Sequence, residues 1–579
     1  MEFKMAFTKD NPWIREREAT ICTWKTDYNR GYISNMSASL LTDFACMSDR
    51  QLADYAKMLK ACGFTGAQVT DMVSAWRASG SWEFIHERYK IFANELHKLG
   101  MKFTLWVWAA KFTGHGWIDE DVVYENEDPK QSPYKDPRVQ ATFNKYYDIY
   151  ADMAPYADRV IAHFYDPGEI GDIESILFFT QLLAKKFRDI NPNIKIGIDT
   201  WGAPPEFPSL LVKAGMKDIM LMELPFLPTW REDGRRAEFR RGVKELGVEL
   251  GSWGWYTCDY EIDQVASMTV NNRVIAHVFG ETRRQADHVM TPSYWSELDS
   301  YHLINFFSMY AAGHLMINPD ADPDELLRES ALLMVGNDRP EELCRLISIL
   351  ELIRDSRSGN CWENYWSSEP AYNLVHLDYT PILPRAEKAI TDLEYLIKQP
   401  EPDDGVAFPI TRKSLYRLMM PHLCQIRQYA KFRIDLDAIK AMSEAGADKA
   451  VLQEKIDALD FEIPEYNCTI GLWGQNEARI AHHLITEFCG EKGLTAPRRS
   501  DTVKYIFKRR MMDLFRVRQR GEKTPVLLDY ENYESGYALS LDFATLLMDE
   551  LVEEGVLSRR DDGLMYLTDW QDYRFDFNI

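Results

Sequence analysis

HKLGMKFTLWV, residues 97–107, carries three signals in a row. A basic helix end comes first, then Gly100, then an apolar run without the polar alternation of a half-exposed strand. Glycine suits the position just past a helix, where a left-handed residue lets the last helical carbonyls find partners. A run that is apolar on successive positions suits a parallel strand buried on both faces.

The same phrase recurs as KACGFTGAQV (60–69), VKAGMKDIMLM (212–222) and KELGVELGSWGW (244–255), with Gly63, Gly215 and Gly247 in the place of Gly100. The segments before these glycines have helical signatures. Ser48 precedes DRQLADYAKMLKAC with Gln51 three residues on, a capping box. Phe84, Ile85, Tyr89, Phe92 and Leu96 fall at helical spacing. Further strands are expected in ATICTWKTD (19–27), RVIAHFYDPG (159–168) and IKIGIDTWG (194–202). The eighth is expected near RVIAHVFGE (273–281) or just after it. Strands and helices that alternate every roughly 30–50 residues indicate a parallel α/β fold. Eight units in about 300 residues favour a (β/α)8 TIM barrel over an open doubly wound sheet. No G-x-G-x-x-G follows the first strand, which argues against dinucleotide binding.

A chain of 579 residues exceeds what one compact core holds. The strand pattern stops near residue 320. We expect a catalytic barrel over 1–319, a helical domain over 320–490, and a small mixed α/β C-terminal region over 491–579. Helices are predicted at 384–398, 410–443, 447–458 and 474–490. Near the C-terminus a basic segment (500–523) precedes an acidic one (529–555), and LMDELVEEGVLSRRDDGLMYLT reads as a helix, a turn and a short hairpin. That shape suits a winged helix, but a formal net charge of −23 favours basic and acidic segments facing each other or a partner subunit. The same charge argues against nucleic acid and anionic membrane as partners. No apolar run approaches the roughly 20 residues that span a bilayer. The start, MEFKMAFTKDNPW, has no apolar leader-type stretch, so a cytoplasmic location is the default expectation. The nine cysteines form no C-x-x-C pair and suit reduced, buried thiols. The helical and C-terminal regions offer surface for a homodimer.

In a (β/α)8 barrel, reactive side chains come from the C-terminal ends of the strands. Near those ends fall Trp24, Asp71, Trp106, Trp108, His163, Tyr165, Asp166, Glu169, Asp199, Trp201, Glu223, Trp253, Trp255, Tyr256 and Asp259. Barrel stability does not require acids and indoles there. Asp166 also fits the Asp-Pro-Gly turn, while Glu169 follows the turn rather than building it. Glu223 interrupts the apolar run LMELPF, where burial costs several kcal/mol unless the group is paired or protonated. Glycoside hydrolysis needs one carboxylic acid to protonate the leaving oxygen and one carboxylate as base or nucleophile. Indole faces supply platforms for sugar C–H groups. On this reading Glu169 is the acid, Glu223 the leading base or nucleophile, Asp259 the second choice, and Asp166 tunes Glu169 or binds a hydroxyl. Trp24, Asp71, Trp108, His163, Tyr165, Asp199, Trp201, Trp255 and Tyr256 shape the sugar site. No cofactor and no metal are implied, and the partner is a small carbohydrate.

The segment SYWSELDSYHLINFFSMYAAGHLMINPDADPDELLRES (293–330), with its turn Ile317-Asn318-Pro319-Asp320-Ala321-Asp322, resembles the barrel-closing segment of several bacterial glycoside hydrolases. These are the family 20-like β-N-acetylhexosaminidases, the family 67 α-glucuronidases and the family 163-like endo-glycosidases. The resemblance is one of pattern and covers roughly residues 15–340. It implies a catalytic acid on the loop after strand four, which is Glu169 here. Family 20 enzymes carry an adjacent Asp-Glu pair in an H-x-G-G-D-E motif, whereas two residues separate Asp166 from Glu169. Substrate-assisted catalysis is therefore not implied. The α-glucuronidase pattern takes its base from a later strand, a part open to Glu223 or Asp259.

Two other readings stay open on the sequence. A metal-dependent sugar isomerase or epimerase would draw ligands from His163, Glu169, Asp199, Glu223 and His277. A non-catalytic carbohydrate-binding protein would bind sugar without needing Glu169.

Overall fold

The computed structural model describes residues 7–22, 47–71, 82–108, 133–164, 173–199, 203–223, 235–254, 268, 270–288, 290–299, 303–357, 376–461, 463, 477–497, 508, 515, 524–528 and 541–571. Eight parallel strands close into a barrel in chain order: β1 (Glu16–Cys22), β2 (Gly66–Asp71), β3 (Lys102–Trp108), β4 (Arg159–His163), β5 (Lys195–Asp199), β6 (Met220–Glu223), β7 (Leu250–Gly254) and β8 (Tyr294–Asp299). Closure pairs β8 with β1, with Glu16 opposite Tyr294 and Ile21 opposite Asp299. The helices that follow these strands are α1 (Asp49–Ala61), α2 (Trp82–Lys98), α3 (Pro137–Ala151), α4 (Ile173–Ile190), α5 (Phe207–Lys213), α6 (Arg235–Leu246), α7 (Asn272–His288) and α8 (Phe306–Ile317). The fold is the (β/α)8 barrel that the repeated helix–glycine–strand phrase predicts.

The local signals behave as their chemistry requires. Gly63, Gly100, Gly215 and Gly247 all have positive φ, between 65° and 87°. Ser48 caps α1, and the Gln51 side chain accepts from the Ser48 backbone in return, which completes the capping box. Arg273–Glu281 is part of α7 instead of a strand. Its Ile275, Val278 and Phe279 are buried at helical spacing, while Arg273 and His277 are exposed. The eighth strand lies just after it, in YWSELD.

After the barrel come α9 (Pro323–Val335), α10 (Pro340–Arg357), α11 (Ile382–Lys398), α12 (Arg412–Glu444), α13 (Lys449–Asp457) and α14 (Glu477–Lys492). The turn Ile317–Asp322 links α8 to α9. Asp322 caps α9 through the Asp324 amide, and Pro323 occupies the first helical position, where no N–H is needed. One apolar core runs from the barrel into these helices without a break. A separate small core gathers Phe515, Leu528, Leu547, Met548, Leu551, Leu557, Met565 and Leu567. It forms around α15 (Leu541–Glu553) and the hairpin of β9 (Leu557–Arg559) and β10 (Met565–Leu567). Lys508 of the basic segment pairs there with Glu550 and Glu554 of the acidic one. Among the described residues no helix is long and apolar enough to cross a membrane.

Register decides which side chains face the barrel axis. Residues opposite one another in neighbouring strands share a face of the sheet. Thr20, Gln68, Thr104 and Arg159 are registered in turn across β1–β4, and Trp106 is registered with Ile161 one step higher. Trp106 on β3 touches Trp253 on β7, across the barrel from it, so this face is the interior.

The interior divides into three zones. Toward the N-terminal ends, Thr104 Oγ1 donates to Glu18 Oε1 at 3.0 Å, and the Tyr294 hydroxyl lies 2.7 Å from Glu18 Oε2 and 3.0 Å from Gln68 Oε1. The Arg159 guanidinium sits 4.2 Å above the Tyr294 ring and donates to Glu16 at 2.8 Å. In the middle, Met220 and Met222 fill the space left by glycine. A Cβ added to Gly251 would lie 2.5 Å from Met222 Sδ and 2.9 Å from Met220 Sδ. At the C-terminal ends stand Trp106, His163, Asp199 and Trp253.

Candidate active site

His163 ends β4 and Asp199 ends β5, and the two are opposite one another in register. Both are 1% exposed, and His163 Nδ1 contacts Asp199 Oδ2. Two indoles flank the imidazole. The Trp106 ring centroid lies 4.7 Å away with the planes at 50°, and the Trp253 ring meets it edge-on at 6.2 Å. The indoles lie 6.3 Å from each other. The C-terminal mouth therefore has a floor with apolar rings around one fixed polar pair. Strand parity builds it: Trp106, His163, Asp199 and Trp253 all occupy inward-facing positions near the ends of their strands.

Glu223 is placed differently. Its neighbour Met222 faces the axis, since Met222 Sδ closes on the empty Cβ position of Gly251, so Glu223 faces the helices. Arg240 of α6 meets it there, with Nε 2.7 Å from Oε1 and 2.9 Å from Oε2. Both side chains are buried. The acid in the apolar run thus has a fixed cation, and the pair ties β6 to the helix that follows it. Glu297 of β8 also sits on the outer face, where it accepts from Trp295 Nε1 at 3.0 Å.

Of the other expected site residues, the backbones of Asp71 and Trp108 end β2 and β3. Trp24, Tyr165, Asp166, Glu169, Trp201, Trp255, Tyr256 and Asp259 lie outside the described residues. Among the described residues no three His, Cys, Asp or Glu side chains gather as a metal site would require. His277, weighed as a ligand, is exposed on α7. Sequence reasoning put Trp106 and Trp253 on the rim and gave the sugar subsites to Trp24, Trp108, Trp201 and Trp255. The period of two, counted from His163 through the strand register, gives Trp106 and Trp253 inward-facing positions, and Trp108, registered with His163, has the same parity.

No known family profile matches the sequence, and no curated protein matches it significantly. Among solved structures the chain is similar to a GH138 enzyme targeting pectin rhamnogalacturonan II, at 10% identity over 83% of this chain and 78% of that one, with a TM-score of 0.48. It is also similar to an O-GlcNAc hydrolase from Thermobaculum terrenum, at 10% identity over 83% and 97%, with a TM-score of 0.44. A family 89 glycoside hydrolase from Clostridium perfringens follows at 9% identity over 98% and 66%, with a TM-score of 0.45. At these identities and TM-scores the likeness carries no argument about activity. The class defined by the chain itself is a (β/α)8 barrel with an aromatic, polar-centred floor at its C-terminal mouth.

Proposed function

We propose that the chain is a glycoside hydrolase acting at the C-terminal mouth of the barrel. The observation that carries the reading is the buried His163–Asp199 pair set between Trp106 and Trp253. A pyranose ring has apolar C–H faces and a polar hydroxyl edge, and a floor of indoles around a hydrogen-bonding pair complements both. The loop after β4 begins beside His163 and carries Asp166 and Glu169. In this reading Glu169 is the general acid. The second carboxyl is Asp259, on the stretch after β7, because Glu223 is engaged by Arg240 on the outer face of the sheet. Asp166 tunes Glu169 or binds a hydroxyl. Trp24, Asp71, Trp108, Tyr165, Trp201, Trp255 and Tyr256 complete the sugar site. The grouping with family 20, 67 and 163-like enzymes belongs to the same reading, supported by the helix–turn–helix at Ile317–Asp322. Of the described members of the isomerase ligand set, only His163 and Asp199 meet, which favours the hydrolase.

The test is turnover of aryl glycosides covering β-GlcNAc, glucuronide, glucoside, galactoside and rhamnoside, with and without EDTA. Wild type is expected to cleave at least one regardless of EDTA, and Glu169→Gln to lose that turnover by about 100-fold or more. Activity that needs a metal and ignores Glu169 would refute the reading.

A further inference from the structure

We propose that Tyr134 is a positioning residue for the general acid: its ring and backbone hold the opening turns of α4, the helix into which the connection carrying Glu169 runs. The inference rests on the hydrolase reading above for the role of Glu169, while the clasp itself is built from described residues alone. Helices that follow barrel strands begin at the mouth, level with the strand ends. Tyr134 belongs to the one-turn helix Pro133–Lys135, just ahead of α3. Its backbone N–H donates to Ser175 Oγ at 3.1 Å, and Ser175 is fully buried in the first turn of α4. Its ring packs on Phe178 with centroids 5.2 Å apart and planes at 32°. Its hydroxyl donates to Glu174 Oε2 at 3.3 Å, and Lys135 Nζ lies 3.7 Å from the same oxygen. Gln140 of α3 donates to the Tyr134 carbonyl at 2.6 Å and braces the clasp from behind. Glu174 is exposed, so the ring and the backbone N–H carry more of the hold than the hydroxyl.

Chain spacing passes this hold to the acid. Glu169 precedes Ile173 by four residues. A chain rises at most about 3.5 Å per residue, so covalent geometry allows at most about 14 Å between their Cα atoms. The other end of the connection leaves β4 at His163, whose ring is flanked by Trp106 and Trp253. General acid catalysis is sensitive to misplacement by about 1 Å, so a shift in the start of α4 costs rate at Glu169. Packing of the two helices does not require Tyr134. Phe143 of α3 stacks on Phe179 of α4 at 3.8 Å with planes at 17°.

The consequence is specific to proton donation. Glu169 gives its proton to the glycosidic oxygen as the anomeric C–O bond breaks, the aglycone departs as an alcohol with the bonding pair, and Glu169 is left as a carboxylate. A phenol needs that proton, whereas a dinitrophenolate is stable enough to leave without it. Misplacing the acid therefore slows the first substrate selectively, and a general loss of structure slows both alike.

The experiment is kcat/KM of the full chain on the phenyl and dinitrophenyl glycosides of one sugar. Glu169→Gln sets the reference pattern, with a loss of about 100-fold or more on the phenyl glycoside and far less on the other. Tyr134→Ala is expected to lose about 10-fold on the phenyl glycoside and to stay within about 2-fold of wild type on the dinitrophenyl one. Tyr134→Phe, which keeps the ring, is expected to recover most of that loss. If Tyr134→Ala does not fold, Tyr134→Leu carries the same comparison. Hydrogen exchange is read in the same proteins, and the amides of Leu177, Phe178 and Phe179 are expected to exchange about 10-fold faster in Tyr134→Ala. Equal losses on the two glycosides, or no loss on either, would overturn the inference, as would Tyr134→Phe losing as much as Tyr134→Ala. Failure of the hydrolase reading looks different: Glu169→Gln without the leaving-group pattern, or no turnover by wild type on any glycoside, refutes the acid and with it the role of Tyr134. Unchanged exchange in Tyr134→Ala would overturn the clasp without reference to any substrate.

Discussion

Glu18→Gln is expected to make the barrel more stable than wild type at alkaline pH and to have little effect near pH 4.5. Glu18 is fully buried inside the barrel, and burial pushes its carboxyl up from the ordinary 4.5 to about 7, against the pull of Arg159, Tyr294 and Thr104. Proton counting agrees. The Tyr294 hydroxyl has one proton but faces both Glu18 Oε2 and the Gln68 oxygen, and a proton on Glu18 satisfies the pair. The charged groups nearby are Arg159 and, beyond it, Glu16 with Lys195. Between pH 4.5 and about 7 the native carboxyl keeps a proton that the unfolded chain has released. The unfolded state then binds fewer protons, so stability falls as pH rises through this window. The gap from 4.5 to about 7, at about 1.4 kcal/mol per pH unit, is worth about 3 kcal/mol. Glutamine keeps the hydrogen-bonding shape and cannot ionise, so the variant escapes that loss.

The assay is hydrogen exchange of the β1 and β8 amides, which Glu18 and Tyr294 join, in wild type and variant at pH 5 and pH 8.5. Comparing the two proteins at each pH cancels the intrinsic pH dependence of exchange. From the lower to the higher pH, protection in the variant relative to wild type is expected to rise by about 100-fold, which is about 3 kcal/mol. A ratio that does not move with pH would refute the reasoning. A ratio that moves in favour of wild type would mean that Glu18 is ionised and held by Arg159.

Glu223→Gln leaves Arg240 buried without its counter-charge and is expected to cost about 3–5 kcal/mol, read as a lower unfolding midpoint, with most of it recovered when Arg240→Met is added. A fall in kcat beyond the loss of folded protein would return Glu223 to the chemistry. Gly313→Ala is expected to destabilise strongly, because a Cβ on α8 would lie 1.9 Å from the Cys62 carbonyl oxygen at the end of α1, and backbone does not yield as a side chain does. Gly215→Ala meets nothing within 4 Å and is expected to cost only the roughly 1–2 kcal/mol of a left-handed residue at φ +81°. Thermal melts of the two variants separate crowding from backbone strain.

Gly100 and its three counterparts were legible because a left-handed residue after a helix has a local cause, and so was the capping box at Ser48. The eighth strand was harder. RVIAHVFGE has the β-branched composition of a strand, but burial of Ile275, Val278 and Phe279 on one side makes it a helix. YWSELD does not look apolar, because on the inner face β8 carries Tyr294 and Ser296 beside Glu18 of β1, with Trp295 and Glu297 on the outer face. Glu223 shows where reading by local context stops. The apolar run LMELPF correctly marks a buried acid, yet its partner is Arg240 on the next helix, and nothing in the spacing says which residue of α6 will face β6. For the same reason the indoles that reach His163 follow from register across the barrel and not from any one segment.

The three interior zones explain how one barrel holds, on its axis, the two buried acidic groups Glu18 and Asp199 with different tasks. Glu18 and Asp199 are both 1% exposed and both face the axis. Glu18 lies in the N-terminal half, where Thr104, Tyr294 and Arg159 come from three different strands to meet it, so its hydrogen bonds join β1 to β3 and β8, its ion pair at 3.9 Å reaches β4, and together they support closure. Asp199 ends its strand, paired with His163, which has indoles around it. Between them lie Ile161, Met220 and Met222, packed where Gly197 and Gly251 leave no side chain of their own. Those glycines are small because the methionines are large: a Cβ at Gly251 would fall within 3 Å of both sulfurs. The apolar layer separates the two polar groups, so protonation of Glu18 can change stability without reaching the floor, and the floor can exchange hydrogen bonds with a ligand without loosening the seam that closes the barrel.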